Sequence, residues 1–199
     1  MRAIVEANTG LEVRSVISNR PAAKGLEWAR EQGLTTRVID HTSFPTREAF
    51  DQTLGDAIAE AKPDLILLAG FMRIFSAAFI GRFTPRILNI HPSLLPAFPG
   101  LHTHRRALEA GVKLHGATVH VVTASLDNGP IVIQGAVPVL PDDSEASLAA
   151  RVLALEHRIY PRAVRWFVEG RVEFLAADIV QVRGSGVSSD QVISPRDPE

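Results

Sequence analysis

The sequence has no cysteine, which excludes a disulfide framework and any thiolate metal site and fits a reducing cytoplasm. It has no excess of charge of either sign. With 21 basic and 22 acidic residues the formal net charge is -1, so nothing points to nucleic acid or to an anionic membrane surface. No apolar run approaches the roughly 20 residues of a membrane helix. The first ten residues carry Glu6 inside a short apolar patch and do not make a signal peptide. There is no internal repeat. What is present, 46% hydrophobic and 22% charged residues over 199 positions, is the composition of a soluble globular chain whose length favours one domain.

Through the first half, short apolar runs alternate with helical periodicity. Val13 to Ser18 reads as a strand, Pro21 to Gln32 as a helix with Gly33 just past its end, and Thr36 to Ile39 as a second strand. Phe50, Leu54, Ala57 and Ile58 share one face of the next helix, with Thr46 as its cap. Leu65 to Ala69 is apolar on both faces, as a buried parallel strand requires. A short helix over Ser76 to Arg82 and a strand over Arg86 to Ile90 follow. This alternation predicts an α/β fold with an open, mostly parallel, Rossmann-like sheet flanked by helices. Ligands in such folds bind beyond the carboxyl ends of the strands. The second half changes character: strands at Thr118–Val122 and Ile131–Gln134 flank a loop, and a long helix spans about Ser144 to Glu169, bent at Pro161, with Leu148, Val152, Leu155 and Ile159 as its apolar stripe. A single domain over residues 1–182 is expected. From Arg183 onward the Ser, Gly, Pro and Asp content predicts a disordered tail, and its Gly184-Ser185-Gly186 precedes no helix, so it is not a phosphate loop.

Asn89 and His91 stand where a strand ends, and Pro92 stiffens the exit. Two residues apart on a strand, their side chains share one face. An amide there can donate to an oxygen gaining negative charge, and imidazole is the side chain best suited to move a proton near neutral pH. His91 could instead merely cap the strand end, and Asn89 merely satisfy loop backbone. Asp127 precedes the turn signal Asn128-Gly129 and could be a plain turn residue; it becomes functional if its loop folds over His91, where a carboxylate would orient the ring and favour its charged form. Five of the seven histidines fall between positions 91 and 120. The spacing of His102, His104, His115 and His120 is not that of a helical metal pair, so histidines lining a polar cleft are preferred to a zinc site. Arg47 is either a clamp for an anionic ligand or a solvated residue offset by Glu48. Glu156 sits beside the apolar stripe of the long helix and needs a partner, either an arginine or a polar ligand.

Three segments resemble one family. They are Leu68 to Ile74, Leu88-Asn89-Ile90-His91-Pro92-Ser93-Leu94-Leu95-Pro96, and Pro99-Gly100-Leu101-His102-Thr103-His104. The likeness, to phosphoribosylglycinamide formyltransferase, continues through His115-Gly116, Leu126 to Pro130 and Glu156-His157 to Trp166 and Gly170. The order Asn, His, Asp marks the wider group of formyl-tetrahydrofolate enzymes; Pro99 to His104 is the more specific sign. The resemblance implies attack of the glycinamide amine on the formyl carbon of 10-formyltetrahydrofolate, the co-substrate, in purine biosynthesis. By position, Asn89 would hold the formyl oxygen, His91 would stabilise the tetrahedral intermediate and protonate the departing folate nitrogen, and Asp127 would assist His91. Arg47, Met72, Arg73, Ile74 and Phe75 would line the folate side, with Phe75 replacing the family's usual leucine. Glu156 would hold the ribose hydroxyls of glycinamide ribonucleotide. No metal is implied, and the partners would be these small molecules, with neither nucleic acid nor membrane, in a monomer or weak homodimer. Alternatives are formyl-tetrahydrofolate hydrolysis and an impaired folate-binding module.

The resemblance departs at the start. The family opens with an apolar strand and a Gly/Ser/Asn loop for the substrate phosphate, whereas Met1 to Ala7 aligns with the helix after that loop. The expectation is a natural start roughly 12–15 residues upstream. The lost strand would be central, its burial worth roughly 8–15 kcal/mol.

Overall fold

The structure, a computed structural model, describes residues 1–176 and 179–186. The chain opens with a short helix α1 (Arg2–Glu6), then β1 (Val16–Ser18), α2 (Lys24–Glu31) and β2 (Thr36–Val38). Next come α3 (Arg47–Ala61), β3 (Ile66–Leu68), α4 (Ala77–Phe83) and β4 (Ile87–His91). The second half contributes α5 (Thr103–Glu109), β5 (Leu114–Val121), β6 (Ile131–Pro138), α6 (Glu145–Val168) and a hairpin of β7 (Val172–Ala176) and β8 (Ile179–Val182).

Local chemistry sets the helix starts. The Thr46 hydroxyl accepts from the Ala49 amide at the head of α3, Ser76 accepts from Phe79 at α4, and Ser144 with Ser147 forms a reciprocal cap on α6. A cap of this kind is worth about 1 kcal/mol. α2 begins three residues later than Pro21 suggested: Ala23 is its cap and Pro21 lies in the preceding turn. α6 runs unbroken through Pro161, whose missing N–H costs one rung of the ladder and does not end the helix. α5 and the β7–β8 hairpin had no counterpart in the sequence reading. Residues 183–186, read as the start of a tail, are tied to the hairpin: the Arg183 amide donates to the Arg171 carbonyl and Ser185 closes a turn onto Val182; the rest of that expectation, residues 187–199, lies outside the described residues.

β1 and β2 pair in parallel, as do β3 and β4. β5 and β6 then join β4 in antiparallel register, giving a four-stranded sheet of order β3-β4-β5-β6. The sheet is thus mixed, parallel in the first half of the chain and antiparallel in the second. It separates two apolar clusters. Ile87 belongs with Phe50, Leu54, Phe79 and Phe83 under α3 and α4, while its neighbour Leu88 belongs with Val119, Leu148, Val152 and Val164 under α6. That alternation is the two-residue period of a strand. It fixes Asn89 and His91 on the α3/α4 side. The Tyr160 hydroxyl of α6 lies 2.9 Å from the carbonyls of both Leu68 and Leu88, and ties the helix to β3 and β4.

Candidate active site

Antiparallel register places polar residues opposite one another on a single face. Asn89 of β4 pairs with His120 of β5, His91 pairs with Thr118, and Thr118 in turn pairs with Gln134 of β6. The apolar positions between them, Ala117, Val119 and Val121, point into the core under α6. The result is a polar strip on an otherwise buried sheet: His91, Thr118 and His120 are all buried.

The loop after β5 folds over this strip. It brings Oδ2 of Asp127 to 3.4 Å from Nδ1 of His91, and both side chains are under a tenth exposed. The Gly100 amide donates to the same carboxylate oxygen at 2.8 Å. On the other side of the ring, Nε2 of His91 lies 3.0 Å from the Phe98 carbonyl. Both ring nitrogens therefore face oxygen acceptors, the surroundings of a proton donor. Asp127, Phe98 and His102 all take left-handed backbone conformations, with φ of 49°, 54° and 57°. Aspartate tolerates this region; for a bulky residue such as Phe98 it costs of order 1–3 kcal/mol, a strain typical of functional sites.

Asn89 is oriented by His120. Its amide nitrogen lies 3.3 Å from Nε2 of His120, whose Nδ1 lies 3.1 Å from the Val121 carbonyl. One tautomer satisfies both contacts: Nδ1–H donates to the carbonyl and the Nε2 lone pair accepts from Asn89. Burial, the largest influence, lowers the His120 pKa and favours this neutral form. The sequence offers His120 only as one of several histidines lining a polar cleft; its hold on Asn89 comes from the structure. The available signal was the pair Thr118 and His120, polar at alternate positions of an apolar strand.

A hydroxyl clasp supports the loop beyond His91. Thr118 donates to the Ser93 carbonyl at 2.7 Å and accepts from the Leu95 amide at 3.0 Å. Gln134 donates to both the Leu95 carbonyl and the Thr118 hydroxyl, at 2.8 and 2.9 Å. Behind the strip, His115 is buried edge-on to Phe98 and His104, and burial pushes its pKa down to about 4.

Arg47, Met72, Arg73, Ile74, Phe75 and Glu156 share no hydrogen bond or ion pair with His91 or Asp127, whose side-chain partners among the described residues are Phe98, Gly100, His120 and each other. Arg47 is exposed and hydrogen-bonded to Glu48. Met72 and Ile74 are exposed, while Phe75 is buried, stacked between Phe71 and Phe79 at centroid distances of 4.6 and 4.1 Å. The Arg73 guanidinium lies over the Phe50 ring, 5.3 Å from its centre. Burial raises the pKa of Glu156, and the Met1 ammonium opposes the shift. Among the described residues no group of three or more His, Asp or Glu side chains converges as a metal site.

The formyl transferase family matches residues 1–164. The chain belongs to that family. Over 161 residues it is 51% identical to the phosphoribosylglycinamide formyltransferase of Escherichia coli K12, a match covering 81% of this chain and 76% of that one. The glycinamide ribonucleotide transformylase 1 of Symbiobacterium toebii superposes with a TM-score of 0.87 at 48% identity, covering 91% of this chain and 87% of the other. The Coxiella burnetii phosphoribosylglycinamide formyltransferase gives the same TM-score at 43% identity, covering 94% and 89%. In formyl transferase terms, the conjunction of Asn89, His91 and Asp127 can bind a carbonyl oxygen and deliver a proton in one buried place.

Proposed function

We propose that this chain transfers the formyl group of 10-formyltetrahydrofolate to the amine of glycinamide ribonucleotide, a step of purine biosynthesis. The observation that carries the reading is the 3.4 Å approach of the Asp127 carboxylate to a buried His91 that shares a sheet face with Asn89. The likeness to formyltransferases over most of the chain supports it.

The steps balance with these groups alone. The substrate amine attacks the formyl carbon, and the carbonyl electrons move to oxygen. The Asn89 amide, held by His120, donates to that oxyanion; one such donor is typically worth about 3 kcal/mol. His91, backed by Asp127, gives its proton to the folate nitrogen as the carbon–nitrogen bond breaks. The attacking nitrogen loses one proton, which returns to the His91–Asp127 pair through water, so the pair ends as it began. The folate is assigned to the side of Arg47, Met72, Arg73, Ile74 and Phe75, and the ribotide to that of Glu156. One catalytic domain over residues 1–182 and a cytoplasmic setting belong to the same proposal.

The test is a formyl-transfer assay on the purified chain with both substrates. Product that appears only when glycinamide ribonucleotide is added supports the reading. Folate release without it would assign hydrolysis, and tight folate binding with no turnover would assign a binding module.

A further inference from the structure

The chain between β3 and α4 leaves the sheet beside Asn89, since Leu68, the last residue of β3, is the register partner of Asn89 in β4. It turns at Gly70, which takes a left-handed φ of 70°. From there its side chains alternate. Phe71 and Phe75 pack with the apolar cluster under α3 and α4, while Met72 and Ile74 stand exposed at 72% and 54%. Holding two apolar side chains out in water is unfavourable by itself, so the backbone that presents them has to be gripped elsewhere.

Three contacts supply the grip. At the start of the segment the buried Tyr160 hydroxyl reaches the Leu68 carbonyl at 2.9 Å. In its middle the Arg73 guanidinium lies over the Phe50 ring. At its end the Asp51 carboxylate accepts from the Ser76 amide at 2.6 Å. Phe50 and Asp51 are successive residues of α3, and both are buried. Two neighbouring positions of one helix therefore set the second half of the segment, and the exposed Ile74 lies between their two holds.

Asp51 is the unusual member. A carboxylate is seldom buried without a cation. Among the described residues its side chain has one hydrogen-bond partner, the Ser76 amide, and no ion-pair partner. The start of α4 does not depend on it, because the Ser76 hydroxyl already accepts from the Phe79 amide as the cap of that helix. What the carboxylate adds is a fixed distance between α3 and the backbone at residue 76. A hydrogen bond from an amide to a carboxylate is shorter and stronger than one between neutral groups, so that distance is held firmly.

We propose that Asp51 is a positioning residue for the folate: through the Ser76 amide it holds Ile74 and the backbone around it in the shape that the folate meets. This rests on the reading that the folate lies against residues 72–75. Asp51 acts through the segment and touches no substrate. Its effect falls on folate affinity and not on the chemical step, since its contact is at the end of the segment far from the Leu68–Asn89 pair.

Calorimetric titration of the full chain with tetrahydrofolate, alongside steady-state kinetics, tests this. Asp51→Leu removes the acceptor at similar size, and Asp51→Ser keeps a polar side chain too short to reach Ser76. Each should weaken folate binding about tenfold or more. In both, kcat at saturating folate and the KM for glycinamide ribonucleotide should stay within about threefold of the parent. Asp51→Asn, which keeps an acceptor oxygen, should bind folate within about threefold of the parent. A purely structural residue would instead lower Tm and the active fraction without changing the folate affinity of the folded molecules. Ile74→Asp, at an exposed position, tests the underlying reading and should itself weaken folate binding about tenfold or more. If it does so while Asp51→Ser binds folate like the parent, the proposal falls and the folate side stands. Unchanged folate affinity in Ile74→Asp would overturn both. Equal weakening in Asp51→Asn and Asp51→Ser would also overturn the proposal, because the acceptor oxygen would then not matter.

Discussion

The Asn89 amide donates to the unprotonated nitrogen of His120, 3.3 Å away across the β4–β5 pair. The contact fixes which way the amide faces. His120→Leu should lower kcat by about 10-fold to 100-fold while leaving both KM values within about threefold, the signature of an interaction made in the transition state. His120→Gln, which keeps an acceptor, should recover most of the loss. Steady-state kinetics on the two variants checks this; equal loss in both would reduce His120 to a packing residue.

Thr118 and Gln134 predict a stability effect. Thr118→Val preserves shape but removes the hydroxyl that joins Ser93, Leu95 and Gln134, leaving the Leu95 amide and the Ser93 carbonyl without that partner. Such a loss typically costs about 1–3 kcal/mol, or roughly 2–10 °C in Tm for a chain of this size. Calorimetry or thermal circular dichroism reads it directly.

His115 predicts a pH dependence of stability. Its folded pKa is depressed to about 4, mainly by burial, below the unfolded value near 6.5. Between those values the unfolded chain binds more protons than the folded one, so stability falls as pH drops through that window and levels off below it. The pKa of His104 and that of His120 are also lowered, and add a trend of the same sign. His115→Phe should flatten the slope of Tm against pH between about 6.5 and 4; an unchanged slope would remove His115 as its source.

Gly129 predicts a steric effect on the loop that carries Asp127. A methyl group at this position would stand 1.8 Å from the Val121 carbonyl oxygen, a backbone atom that cannot move aside without disturbing β5. Gly129→Ala should therefore cost at least about 1–3 kcal/mol and displace the carboxylate from His91. Thermal denaturation together with kcat would show both losses at once.

Much of the site could be read from the chain because its parts lie at strand ends and in turns, which local chemistry marks. The apolar run ending at Asn89 and the turn after Asp127 are of this kind, and the structure folds that turn over His91. The sequence groups His120 with the cleft histidines but does not foretell its hold on Asn89, because that contact depends on antiparallel register, which no local pattern prints. α5 escaped notice for a different reason: His102 caps it in a left-handed conformation with no side-chain hydrogen bond, so the usual start signal is missing. Arg47 could be read two ways, and the structure pairs it with Glu48.

The central claim is that His91, backed by Asp127, delivers the proton in formyl transfer. The most direct measurement is the single-turnover rate of formyl transfer from 10-formyltetrahydrofolate to glycinamide ribonucleotide, for the parent chain and for His91→Ala at saturating substrates. The rate should fall by about 100-fold or more while folate affinity stays within about threefold of the parent. An unchanged rate in His91→Ala would contradict the claim.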